Sequence, residues 1–188
     1  MKVYVNDHIN LLDLQNALLS VSAQRREQVL RFKHEMGQRL SLAAYLLLKQ
    51  ALHEQEGISE NPVFGYEEHG KPFILGHPEL YFSLSHCQEA AVCVLSRRPV
   101  GIDVESLGRY RDSVARYAMN VDELEQISRA DDREAAFVRL WTMKESYLKM
   151  TGEGINDRMK DVLVGVPQGI FNTVERLEKN YIYTVCEQ

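Results

Sequence analysis

Asp103 and Glu105, in the run "PVGIDVES", stand two residues apart and have the spacing of a cation-binding pair. The run alternates, so Val100, Ile102 and Val104 point to one face of a strand and Gly101, Asp103 and Glu105 to the other. Two carboxylates side by side repel each other, and a divalent cation relieves that repulsion while taking both as oxygen ligands. A solvated strand face would alternate in the same way. Gly101, on the acidic face, leaves room for a neighbour to approach the backbone. A second group lies in "WTMKESYLKM", where Phe137, Leu140, Trp141 and Leu148 follow the spacing of one buried helical face. Lys144 falls inside that stripe and requires a partner. Glu145 sits at its edge, one turn before Lys149. If Glu145 faces the acidic strand, three carboxylates converge, a number that suits Mg²⁺ completed by water and a substrate phosphate.

The run "YFSLSHC" places Ser83, Ser85 and Cys87 on one strand face and Leu84 and His86 on the other. Neighbouring strand side chains diverge, so Ser85 and His86 cannot by themselves form a nucleophile and base. His86 has no Cys or His at ligand spacing, which disfavours zinc. A structural histidine or a contact to phosphate remains. Arg25, Arg26, Arg31, Lys33 and Arg39 gather on the first helical stretch, and Lys71 lies in "GKPF". They fit a solvated face or a local phosphate site.

These residues need elements to hold them. "KVYV" reads as a strand, and residues 22–57 as one long helix or two, stopped by Gly57. "PVFGYEEHGKPFIL", "ELYFSLSH", "AAVCVLS" and "PVGIDVES" read as short strands of one small antiparallel sheet on that helix. Asn120, with Glu123 three residues on, marks a helix start, and the 133–150 helix ends near Gly152. "DVLVGV" and "YIYTVC" read as two closing strands. The expected fold class is α+β, with two similar halves at 1–104 and 105–188.

At 188 residues, with 45% hydrophobic and 26% charged residues, the composition is that of an ordinary globular protein. A formal net charge of -5 argues against general binding to nucleic acid or anionic membranes. Cys87, Cys93 and Cys186 form no C-x-x-C pair and fit buried thiols in a reducing compartment. The chain contains no apolar run of membrane-spanning length and does not open on a signal peptide, so a cytoplasmic location is expected.

In order along the chain, "GKPF", "SLSH", "GIDVE" and "WTMKES" form a series that resembles the 4'-phosphopantetheinyl transferases of the surfactin-synthetase-activating type. The resemblance runs from about Ser22 to Gly154. It implies the α+β fold of that family, a single-chain pseudodimer of two helix-plus-small-antiparallel-sheet subdomains. It also implies transfer of the phosphopantetheine arm of coenzyme A, as substrate, to a serine of an apo acyl or peptidyl carrier protein, with release of adenosine 3',5'-bisphosphate. By resemblance, Asp103, Glu105 and Glu145 are the ligands of Mg²⁺, with Mn²⁺ as a substitute. Ser85 and His86 contact the phosphates, Lys71 and Pro72 wall the nucleotide site, and Arg25 and Arg39 meet the 3'-phosphate. Lys144 and Lys149 meet a phosphate. Glu145 accepts the proton of the carrier serine, directly or by way of a water, with Glu105 as its understudy and Lys149 beside it. Gln28, Ser83 and Cys87 depart from the family's usual residues. Arg109, Arg111 and Arg116 are candidates for meeting an acidic carrier helix. A monomer is expected, because one chain supplies both halves. Two other readings of the site are a coenzyme A-binding module without catalysis and a metal-dependent phosphohydrolase.

Overall fold

The computed structural model describes residues 1–154 and 158–188. Strands β1 (Val3–Asn6), β4 (Tyr81–His86) and β5 (Ala91–Ser96) form an antiparallel sheet in the order β1-β5-β4. β2 (Phe64–Tyr66) and β3 (Pro72–Ile74) form a separate two-stranded hairpin. β6 (Val100–Ser106), β7 (Phe171–Arg176) and β8 (Tyr181–Glu187) form a second sheet in the order β6-β8-β7. The helices are α1 (Leu14–Leu19), α2 (Ala23–Leu30), α3 (Glu35–Glu56), α4 (Asp112–Ala118), α5 (Val121–Arg129) and α6 (Arg133–Thr151).

The alternation of the strands builds the layers. Ala91, Cys93 and Leu95 of β5, with Phe82 of β4, meet Ala44, Leu47, Leu48 and Ala51 of α3 in one core. Val92 and Val94 point the other way and meet Val100, Ile102 and Val104 of β6 and Tyr181, Tyr183 and Val185 of β8. Ile182, on the opposite face of β8, packs with Phe137, Leu140 and Leu148 of α6. The sheets therefore lie between α3 and α6, each sheet covered on its outer face by one long helix.

Local chemistry sets the helix ends. Gly57 and Gly152 adopt left-handed backbone (φ +70° and +79°) and stop α3 and α6, as their positions after the apolar stripes predict. Asn120 and Glu123 make the reciprocal capping box expected at the start of α5. The 22–57 stretch is two helices, with the break at 31–34.

Three expectations change. The strands of the first half do not make one sheet: 64–74 stands apart, and β6 pairs along its whole length with β8. A division at 104/105 therefore cuts a continuous strand, and the change from first-sheet to second-sheet pairing lies before Val100. "DVLVGV" forms no strand. Met159–Asp161 is a 3-10 turn continued by further turns, and the partner of β8 is "FNTVER", Phe171–Arg176, instead. Gly165, at φ +74°, breaks the apolar run that suggested a strand.

Candidate active site

β6 and α6 meet at closer range than side chains allow. A Cβ added at Gly101 would collide with the Ser146 carbonyl oxygen and lie 2.6 Å from the Met150 backbone nitrogen. The neighbour for which Gly101 leaves room is thus α6 itself. Because α6 covers the acidic face of β6, the solvated-strand reading does not hold: Asp103 is only 4% exposed.

Glu145, Leu148, Lys149 and Gly152 share one face of α6, at spacings of three and four residues, and all four line a cleft of about 320 Å³. Ser83, Leu84, Phe82, Lys71 and Pro72 line it from the first half. At its acidic end Lys149 Nζ lies 2.7 Å from Asp103 Oδ1 and donates to Ser85 Oγ at 2.9 Å, and Ser85 donates to the same Asp103 oxygen at 2.8 Å. Asp103 Oδ2, Glu105 Oε2 and Glu145 Oε1 are buried without a hydrogen-bond partner among the described residues. Arg109 stands 3.4 Å from that Glu105 oxygen as an ion pair only.

The electrostatics agree with convergence of the acids. Burial pushes the Glu145 carboxyl up to about 7, and the Asp103 and Glu105 charges push the same way against Lys149. Glu105 is likewise raised, by burial first and then by Asp103. Burial, then the Lys149 ammonium, holds the His86 imidazole below the ordinary histidine value. Lys71, lowered by burial, donates to the Met150 carbonyl at 2.6 Å and so ties the 64–74 hairpin to the end of α6.

The three acids fit a hard divalent cation. They offer buried oxygens without a hydrogen-bond partner among the described residues, that of Glu105 meeting only the Arg109 ion pair, and they come from two elements packed backbone to backbone. Among the described residues no three His, Cys, Asp or Glu side chains stand as a ready-made metal site, so Asp103, Glu105 and Glu145 form an open set that would draw in around a cation, with water and substrate as further ligands, as Mg²⁺ prefers.

Two expected substrate contacts lie elsewhere. Lys144 is fully buried; its ammonium lies 2.8 Å from Glu123 Oε1 and donates to the Met159 carbonyl at 2.7 Å, so its partner is a carboxylate of α5 and not a phosphate. One residue along a helix is a rotation of about 100°, which turns Lys144 away from the face that carries Glu145. Arg39 donates to Glu35 Oε1 at 2.9 and 2.7 Å and to the Asn10 and Leu12 carbonyls, which spends its guanidinium on the 10–12 loop. Arg25 faces the other way around α3. It donates to the Ser41 carbonyl and hydroxyl at 2.7 and 2.8 Å, lies 4.8 Å from the Tyr45 ring centroid, and leaves Nε buried without a hydrogen-bond partner among the described residues. Its charge is felt at His86. Local spacing carries no signal for Glu123 as the partner of Lys144, because Glu123 is already accounted for as a capping residue. Nor does it point to Phe82, Leu148 and Gly152, apolar or small residues whose place in the cleft appears only once the halves meet.

The family model for the 4'-phosphopantetheinyl transferase superfamily matches residues 99–187, the segment that carries all three acids. A 4'-phosphopantetheinyl transferase of Bacillus subtilis is 28% identical over 200 residues, covering 98% of this chain and 89% of the relative. The 4'-phosphopantetheinyl transferase psf-1 of Bacillus pumilus is 32% identical over 139 residues (72% and 60% of the two chains), and the 4'-phosphopantetheinyl transferase HetI of a Nostoc species 33% over 151 residues (76% and 64%). The chain thus spans about three fifths of the length of some of these relatives and nearly nine tenths of another. It belongs to the 4'-phosphopantetheinyl transferase superfamily, and its mixture of helices with small antiparallel sheets is that family's α+β fold. Among the described residues no helix is long and apolar enough to cross a membrane.

Proposed function

We propose that the protein moves the 4'-phosphopantetheine arm of coenzyme A to a serine of an apo acyl or peptidyl carrier protein in a Mg²⁺-dependent reaction, with Mn²⁺ able to substitute. The observation that carries this reading is the gathering of Asp103, Glu105 and Glu145 beside Lys149 at one end of a cleft, with Asp103 Oδ2 and Glu145 Oε1 buried and without a partner among the described residues. Held by those three acids, the cation would supply charge neutralisation to the diphosphate of coenzyme A.

The protein's own residues do the rest. Lys149 and Ser85 offer donors to diphosphate oxygens, His86, which feels the Lys149 charge, is a further candidate, and Lys71 and Pro72 wall the cleft. Arg25, whose buried Nε has no hydrogen-bond partner among the described residues and whose charge is felt at His86, is the candidate for a further phosphate; Arg39, engaged with the 10–12 loop, is not. The carrier serine oxygen attacks the phosphorus of the pantetheine-bearing phosphate. The bond from that phosphorus to the bridging oxygen breaks, and adenosine 3',5'-bisphosphate leaves. The serine proton passes to Glu145, which faces the cleft beside Lys149, directly or by way of a water. The carrier side of the site is a second recess of about 190 Å³ formed by Glu105, Arg109, Val114, Phe137, Val138 and Trp141. Arg109 at its rim and Arg111 and Arg116 nearby in sequence are the basic groups available to an acidic carrier helix. One chain supplies both walls of the cleft, so the working unit is a monomer.

Chromatography of the nucleotides separates this reading from hydrolysis and from binding alone. Adenosine 3',5'-bisphosphate should form only when an apo carrier is present. Its formation without a carrier would indicate a phosphohydrolase, and its absence with every carrier class, while coenzyme A still binds, a binding module.

A further inference from the structure

The acidic centre already holds a cation of its own. Lys149 reaches it from the open side, its side chain 31% exposed against 6% for Asp103, and sits on Asp103 Oδ1 at 2.7 Å. Ser85 fixes both partners: it accepts from the ammonium and donates to the carboxylate oxygen. Asp103 Oδ2 and Glu145 Oε1 have no hydrogen-bond partner among the described residues, and Glu105 Oε2 has only the Arg109 ion pair.

We propose that Lys149 is a resident counterion of this centre, so that a divalent cation gains its carboxylate oxygens in full only when the ammonium leaves Asp103 for another anion. The inference rests on the reading of Asp103, Glu105 and Glu145 as metal ligands. An ammonium and a divalent cation on one carboxylate repel each other across a partly buried gap, so the ammonium weakens the cation's hold. The displaced ammonium needs a new partner, and from its exposed side the anion within reach is a phosphate bound in the cleft. Cation and diphosphate then help each other to bind, and the coupling is reciprocal. Lys149 in this role is a positioning residue. It keeps three mutually repelling acids in place and links the cation's arrival to that of the substrate.

The test is Mn²⁺ binding to the nucleotide-free protein, read from the electron paramagnetic resonance signal of free Mn²⁺, with thermal melts alongside. Lys149→Met, which keeps the length and removes the charge, should bind Mn²⁺ about tenfold more tightly than the unaltered protein. It should also melt lower without metal and recover more on Mn²⁺ addition. Ser85→Ala, which loosens the ammonium's seat but keeps its charge, should tighten Mn²⁺ by about threefold and guards against a Lys149→Met chain that does not fold without metal. Equal or weaker Mn²⁺ binding by these variants, with binding to the unaltered protein intact, overturns the counterion role and leaves the ligand assignment standing. Absence of Mn²⁺ binding in every form overturns both. A lower melt with no tightening would mean that Lys149 is structural only.

Discussion

Lys144 and Glu145 are adjacent, yet one holds the fold together and the other faces the cleft. Lys144 is fully buried against Glu123 and the Met159 carbonyl, a pair in which removing one partner strands the other charge. Lys144→Met should therefore lower stability by about 3–5 kcal/mol, measured by denaturant titration, while coenzyme A affinity in the folded fraction stays unchanged. Replacing Glu123 by Leu in the same chain should restore part of the loss. A selective rise in KM for coenzyme A with stability intact would return Lys144 to the substrate. Glu145→Gln should behave in the opposite way, keeping the fold and cutting carrier modification by about 10²–10⁴-fold in kcat. The sequence makes the anomaly of a lysine in an apolar stripe visible, but not its partner. The two residues lie 21 positions apart on different helices, and local spacing carries no information about such a contact.

At the scale of elements, the site depends on how closely α6 lies against β6. Gly101→Ala would drive a methyl group into backbone at Ser146 and Met150, which cannot yield as a flexible side chain does. A loss of about 3 kcal/mol or more is expected, together with loss of the carboxylate cluster. Unchanged stability and activity in that variant would contradict the packing described here. Much at this scale is legible in the sequence: the period of α6, its stop at Gly152, the capping box of α5 and the alternation of β6 are all local signals. α6 departs from the simple stripe, since positions around most of its circumference are buried, as suits a helix packed on a sheet and also enclosed by α5 and the 159–161 turn. The failures are also physical. "DVLVGV" has the apolar content of a strand, but its glycine, Gly165, adopts left-handed backbone, and "FNTVER", half polar and only partly buried, pairs with β8 as an edge strand.

At the scale of the molecule, the two sheets share a core, and a few polar ties fasten chain segments far apart in sequence. Lys71 holds the 64–74 hairpin to α6, and Asp7 after β1 accepts from Lys179 at 2.7 Å and from the Tyr181 hydroxyl at 3.0 Å. The Lys179 ammonium beside it holds the Asp7 carboxyl below its ordinary 3.8. A carboxylate lowered in the folded state contributes stability above its unfolded pKa and loses it as pH falls through the folded value. Asp7→Asn should thus cost about 1 kcal/mol at neutral pH, the pair being half open to solvent, and the difference should vanish as the solution is acidified below 3.8. Denaturant midpoints across that range decide it, and a difference independent of pH would contradict the tie. The activity claim is likewise a property of the whole chain, because the cleft takes walls from both sheets. It is tested most directly by the intact mass of an apo carrier protein after incubation with this protein, coenzyme A and Mg²⁺, beside a sample containing EDTA. The account predicts the gain of one phosphopantetheine on the carrier, abolished by EDTA. An unchanged carrier mass across acyl and peptidyl carriers, or a gain that EDTA does not touch, would contradict it.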